Sequence, residues 1–535
     1  MSRPSFLILW FAVLILGLAL RVAHLDLRPM HHDEANQAVK FGTLLEEGEY
    51  RYDPKEHHGP TLYYLTLPAA WARGQDTLAS LDERTLRAVP AVFGVGLIIL
   101  MVYLARPLGR DAVLLAALFA ALSPAMTYYS RFYIQESLFA FFSLGFLVSL
   151  GRTAVRPTLA RTLTAGVFAG LALATKETSV LVFAAAAVAL ALTRLWMSRV
   201  QPTVFFPGDR RDRLRSAAIH VLAATGAAAL VAAVLYSSFL RNPAGILEPV
   251  YALPGYAARA AGPSYHVHPW YYYLQILGYQ NAGGVIWTEG VILIAALCAV
   301  AFALRRRAGR RASARYDIIQ STLAGQQFWP RFLALYTFFA AALFSILPYK
   351  TPWNLLAFHI GLVPLAGIGA AALLRLSGRR LLRGFLWVAL LAALFQLGVQ
   401  NWRANILYAA DPRCPYVYAQ TSPDFLRLSR RVHDLAAAHP DGKDMLVKVI
   451  AGPYEQWPMP WYLRDFRRVG YWTGPEGAGG FEGVSVVIAS QENAAKLAGI
   501  LGDRFQVEFY GLRPDVLLTM YIDRTLWERY LHRRI

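Results

Sequence analysis

The chain has 535 residues, of which 56% are apolar and 16% charged, where a soluble domain carries about a quarter charged residues; water is not its main solvent. Its formal net charge of +19 leaves nucleic acid or an anionic membrane surface as the anionic partner, and the placement of the basic residues decides between them. Two cysteines, Cys298 and Cys414, exclude a disulfide framework and a cysteine-based metal site.

A helix needs roughly 17 to 25 apolar residues to cross a bilayer. Apolar runs near 5–22, 86–105, 112–129, 132–150, 162–175, 178–193, 217–240, 286–304, 331–347, 352–374 and 384–401 predict about eleven transmembrane helices. Lys176 and Glu177 interrupt a long apolar stretch and read as a tight turn between two short helices, with one long helix as the competing reading. With the N-terminus inside, the inner loops hold Arg106 and Arg110, then Arg152, Arg156 and Arg161, then the runs Arg194 to Arg215, Arg305 to Arg315 and Arg375 to Arg383. The short outer connections hold little that is basic beyond Arg131, Lys176 and Lys350. This asymmetry fixes a cytoplasmic N-terminus and accounts for the charge without nucleic acid. The first run lacks a small-residue cleavage site and reads as a retained anchor.

Two outer loops are long, 23–85 and 241–285, the second with the cluster Trp270, Tyr271, Tyr272 and Tyr273; interfacial helices are expected in both. After Trp402 the hydropathy falls. Strands are expected at Met445–Ala451, Val484–Ser490, Phe505–Tyr510 and Val516–Ile522, with helices near 423–438 and 491–501. The expected architecture is an α-helical polytopic membrane domain over 1–403, followed by a small extracytoplasmic α/β domain over 404–535.

The outer loops carry the chemistry. In Met30-His31-His32-Asp33-Glu34-Ala35 the adjacent carboxylates could cap the helix that follows, or one of them could take a proton from an acceptor hydroxyl while the other orients it. Glu56-His57-His58-Gly59-Pro60, followed by Tyr63 and Tyr64, groups histidines near carboxylates. Adjacent histidines lack the i, i+4 face of a helical zinc site, and neutral imidazoles in a polar pocket can hydrogen-bond a sugar or phosphate. Ser130-Arg131-Phe132 with Glu136 sets a guanidinium, suited to phosphate oxygens, beside an acid expected one turn into the next span; a structural Arg131–Glu136 pair is the alternative. Lys176-Glu177-Thr178 and Tyr349-Lys350-Thr351-Pro352-Trp353 each place a lone lysine at an outer helix end. Each could be an interfacial anchor, or the three cations together could receive a phosphate-bearing lipid. Trp457, Trp461 and Tyr462 could stack on sugar faces or fill the core of the small domain.

These residues resemble the GT-C superfamily of polyprenyl-phosphate-sugar glycosyltransferases, in particular the family 39 group that contains protein O-mannosyltransferases and the lipid A aminoarabinose transferase. The His-His-Asp-Glu, Glu-His-His-Gly-Pro and Pro-Tyr-Lys-Thr-Pro-Trp strings are similar to those of a subgroup labelled flippase-activity-associated. The resemblance covers about residues 1–402, and more loosely the string Trp457 to Arg464. It implies Asp33 as catalytic base with Glu34 assisting. Arg131, Lys176, Lys350 and His58 are implied as ligands of the donor phosphate, supported by Glu136, His32 and Tyr63. His58 stands where aminoarabinose transferases carry a lysine.

The implied activity is inverting transfer of a sugar, mannose by family default, from a polyprenyl-phosphate donor to an acceptor hydroxyl of a lipid, glycan or protein on the outer face of the plasma membrane. No cofactor is expected, because the lipid phosphate leaves as an anion already, and no metal ligand set is assigned; a divalent metal in the His-rich first loop is the alternative, not favoured. The alternatives are a lipid-linked-sugar flippase or transporter, and a non-catalytic assembly subunit. Clustering of the charges at one face and the lack of a visible inverted repeat oppose the flippase.

Overall fold

The computed structural model describes residues 1–53, 58–200, 209–261, 266–305, 317–376 and 379–533. The chain forms two compact units, one comprising 1–23, 49–66 and 87–407, the other 24–48, 67–86 and 408–535. The C-terminal region therefore shares its unit with two segments of the first long loop.

Among the described residues, eight helices are long and apolar enough to cross a membrane, and they coincide with eight of the expected runs. The other three runs are also helical. Leu159–Leu173 and Gly290–Leu304 are shorter apolar helices, and the 112–129 run divides into Arg110–Leu122 and Pro124–Ser130, bent by 59°. The bend has a local cause. Pro124 has no N–H to continue the first helix, and the Ser123 hydroxyl accepts the Met126 N–H at 3.2 Å to start the second.

Small residues let these helices approach closely. Gly166 and Gly170, four apart on Leu159–Leu173, face Arg210–Tyr236, and a Cβ at Gly170 would lie 2.6 Å from the Ala228 carbonyl oxygen. Lys176 and Glu177 sit in the expected turn, between Leu159–Leu173 and Ser179–Val200. One boundary differs from expectation. The helix after Arg131 begins at Glu136, because 131–135 forms a turn, so Glu136 is the first helical residue and not one turn in.

The second long loop carries helices Glu248–Ala261 and Tyr272–Gly278, then a hairpin that hydropathy did not reveal, β1 (Gln280–Ala282) and β2 (Val285–Trp287). Its two-residue loop is Gly283-Gly284, both with positive φ, which hairpin turns favour in glycine.

In the other unit, five strands lie in the order β4-β3-β5-β7-β6, comprising β3 (Val447–Ile450), β4 (Val469–Trp472), β5 (Val486–Ser490), β6 (Phe505–Arg513) and β7 (Val516–Asp523). β3 pairs in parallel with β4 and β5, while β7 runs antiparallel to β5 and β6. β5 is apolar on both faces because both are covered. Val486 and Ile488 join one core with helix Pro423–Ala438, and Val487 and Ala489 join another with helix Gln491–Leu501. β4 and a last helix, Arg524–His532, were not expected; β4 has four residues and contains Gly470, too little apolar run to signal a strand.

Candidate active site

The Asp33-Glu34 pair opens helix His32–Glu47. His31 is the N-cap. Its Nδ1 accepts the Asp33 N–H at 3.0 Å, and Glu34 Oε2 accepts the His31 N–H at 3.0 Å, a reciprocal capping box. The His31 Nε2–H donates to the Tyr418 carbonyl at 2.9 Å, so the ring is the neutral tautomer, and burial pushes its pKa down. Glu34 is fully buried, 3.8 Å from the Arg28 guanidinium, whereas the Asp33 side chain is 39% exposed. Capping thus claims Glu34, and the neighbouring carboxylate faces outward.

Around Asp33 stand residues of the C-terminal region. The His32 ring lies 6.0 Å from Tyr454 and 5.9 Å from Trp457, and burial lowers its pKa. Arg513 donates to the Tyr454 carbonyl at 2.6 Å. Its own pKa is lowered by burial, with the Glu455 and Asp33 charges acting against that. Tyr454 and Arg513 escaped the sequence reading, since neither the short helix Pro453–Gln456 nor the β6–β7 hairpin resembles a motif. Trp461 and Tyr462 take the core role. Trp461 is buried and donates to Glu83 at 2.9 Å with the Arg464 guanidinium 3.8 Å from its ring, and the Tyr462 hydroxyl accepts the Met30 N–H at 2.9 Å.

The expected phosphate ligands lie in the membrane unit. Lys176 Nζ is 2.5 Å from Glu136 Oε1, both residues being buried, and donates to the half-buried Asn354 Oδ1 at 3.1 Å. Glu136 accordingly pairs with Lys176, and its place in the first turn of its helix suits a negative charge. Asn354 follows Lys350 by four residues and was not singled out.

Arg131 is buried, and its Nη1 donates to the carbonyls of Ala23 at 2.5 Å, Leu20 at 3.2 Å and Arg21 at 3.3 Å, closing the C-terminus of helix Arg3–Val22. Lys350 is also buried. It donates to the carbonyls of Leu347 at 2.5 Å and His268 at 2.8 Å, where 266–268 pairs with 348–350.

Glu56 and His57 lie outside the described residues. His58 Nδ1 meets Glu177 Oε2 at 2.8 Å, and the Tyr52 hydroxyl donates to Glu177 Oε1 at 2.6 Å. Burial alone would raise the Glu177 carboxyl; the His58 charge and these hydrogen bonds overcome it and hold the group below its ordinary range. Gly59 permits this docking. A Cβ there would overlap the Ala174 carbonyl and approach the Tyr236 hydroxyl to 2.9 Å. Thr61 extends the contact, its N–H donating to Ala174 at 3.2 Å and its hydroxyl to Thr175 at 2.7 Å. Tyr63 is fully buried and stacks on Tyr50 at 5.1 Å. The loop motif and the Lys176-Glu177 turn therefore form one assembly.

Comparison with solved structures identifies the fold. ArnT from Cupriavidus metallidurans, solved bound to undecaprenyl phosphate, superposes with a TM-score of 0.58 at 15% identity, over 98% of this chain and 99% of that one. The archaeal oligosaccharyltransferase AglB from Archaeoglobus fulgidus, solved with an inhibitory peptide and a dolichol-phosphate, gives 0.55 at 14% identity, over 98% of this chain and 77% of that one. Residues 7–240 match the family model described as dolichyl-phosphate-mannose-protein mannosyltransferase. No curated protein matches the sequence. The family match covers residues 7–240, and over nearly its whole length the chain shares the fold of these multi-pass membrane glycosyltransferases.

Proposed function

We propose that the protein transfers a sugar from a polyprenyl-phosphate carrier to an acceptor hydroxyl on the outer face of the membrane, with Asp33 as general base. The observation that carries this reading is the division of labour within the acidic pair: Glu34 is buried in the capping box, while Asp33 keeps an outward carboxylate. The acceptor oxygen gives its proton to Asp33 and bonds to the anomeric carbon. The bond from that carbon to the phosphate oxygen breaks, its electron pair leaves with the polyprenyl phosphate, and the configuration inverts.

Lys176 is the proposed ligand of the donor phosphate, with Glu136 holding its ammonium in place. Arg131 and Lys350, bound to helix-end carbonyls, shape the turns beside it, and His58 joins through Glu177. The lipid phosphates in the ArnT and AglB structures and the mannose named by the family model support this choice of donor. Residues 408–535 serve the acceptor, through Tyr454, Trp457 and Arg513 beside Asp33.

The test is purified protein in lipid nanodiscs with radiolabelled polyprenyl-phosphate mannose and a membrane extract as acceptor source. Label should leave the lipid fraction for a lipid, glycan or protein product. Label that only changes leaflet, unreacted, makes the protein a flippase.

A further inference from the structure

At the end of helix Glu136–Val155 opposite Glu136 lies a cavity of about 330 Å³ that no part of the transfer reaction uses. Its charged lining residues are four arginines, Arg106, Arg152, Arg156 and Arg161, with Tyr103 and Trp329 as its aromatic walls. Arg161 Nη1 donates to the Arg156 carbonyl at 2.8 Å, which ties the two helix ends together, and the Arg152 guanidinium lies 5.2 Å from the Tyr103 ring. The positive-inside rule accounts for arginines in these loops; it does not account for four of them around one concavity with no acid among its described lining residues.

The adjoining cavity provides an internal comparison. There Asp111 answers the local cations, 2.7 Å from Arg375 and 3.4 Å from the amino group of Met1. Like charges gathered without a counter-charge repel one another, and a bound anion relieves that repulsion. Guanidinium forks match phosphate oxygens, and basic pockets between transmembrane helices on the cytoplasmic side suit anionic lipid headgroups.

We propose that this arginine cavity binds the phosphodiester headgroup of an anionic phospholipid from the inner leaflet, with the acyl chains lying against the neighbouring helices. The site is separate from the transfer chemistry and stands whether or not Asp33 is the base.

The test uses full-length protein in detergent, incubated with phosphatidylglycerol or phosphatidylcholine and read by native mass spectrometry. Wild type should retain phosphatidylglycerol ~10-fold better than the variant Arg106→Gln/Arg152→Gln/Arg156→Gln. A variant with the same charge change on another basic loop, Arg379→Gln/Arg380→Gln/Arg383→Gln, should retain it like wild type. Arg156→Gln alone, at an exposed side chain, gives a partial loss and guards against misfolding of the triple variant. Equal retention by wild type and the cavity variants, or equal loss by both triple variants, overturns the site. Displacement of the lipid by millimolar inorganic phosphate would make it a free-phosphate site and overturn the lipid assignment.

Discussion

Glu34 and His31 close on each other. The carboxylate accepts the His31 backbone N–H at 3.0 Å, and the imidazole accepts an N–H of the same helix turn. The capping role therefore falls to Glu34, and Asp33, the proposed base, keeps an exposed carboxylate. Glu34→Ala should cost about 1 to 2 kcal/mol, the range for a lost cap, and lower the thermal midpoint of the purified protein. Asp33→Asn should leave the midpoint unchanged. Equal destabilisation by both would return Asp33 to a structural role.

Lys176 and Glu136 form a buried pair, so removing either partner leaves a charge without its counter-ion and should cost about 3 to 5 kcal/mol. Lys176→Met and Glu136→Gln should each lower the thermal midpoint, and Lys176→Met/Glu136→Leu should recover it. Transfer should stay lost in the double variant if the ammonium holds the donor phosphate. A stable double variant with normal transfer would make the pair structural only.

Gly59→Ala forces a methyl group into the Ala174 carbonyl and should detach the His58 loop from the Lys176-Glu177 turn, lowering both thermal stability and donor affinity. Gly480→Ala, in open space, is the control and should change neither. A neutral Gly59→Ala would show that the loop adapts without loss of the site.

Burial holds His31 and His32 below the ordinary histidine value of about 6.5. As pH falls through that value the unfolded chain takes up protons before the folded one. Stability present above it is therefore lost on acidification toward the depressed folded values. The depressed Glu177 adds a second loss lower down, as pH falls through its folded value. The thermal midpoint should decline from about pH 7 to about pH 5.5, and His31→Asn, which keeps a good N-cap without a titrating ring, should flatten that slope. An unchanged slope would contradict the neutral-histidine assignment.

The helical scaffold was legible because a bilayer demands long apolar runs, and all eleven runs carry helices. The bend at Ser123-Pro124 was not read, although proline marked it. The pairing of Glu136 with Lys176 rather than Arg131 was not legible either. Those residues lie forty apart in sequence, and only the packing of two helix ends decides which cation meets the acid. His31, Asp33 and Glu34 were visible as a string, but which carboxylate is free for chemistry depends on backbone geometry at a helix start. Tyr454 and Arg513 carried no local signal, because folding brings them to Asp33 from more than 400 residues away.

The positive-inside reading of the arginine-rich loops predicts that residues 408–535 are extracytoplasmic. A cysteine at Glu492, whose side chain is 82% exposed, in a variant lacking Cys298 and Cys414, should react with an impermeant thiol reagent on intact cells. Labelling only after lysis would reverse the topology.

The most direct test of the central claim is single-turnover transfer by Asp33→Asn with saturating polyprenyl-phosphate sugar, alongside donor binding by the same protein. The carboxamide keeps the shape but takes no proton, so the rate should fall by about 100-fold or more while donor affinity and the thermal midpoint stay at wild-type values. A rate near wild type would contradict the assignment of Asp33 as the base.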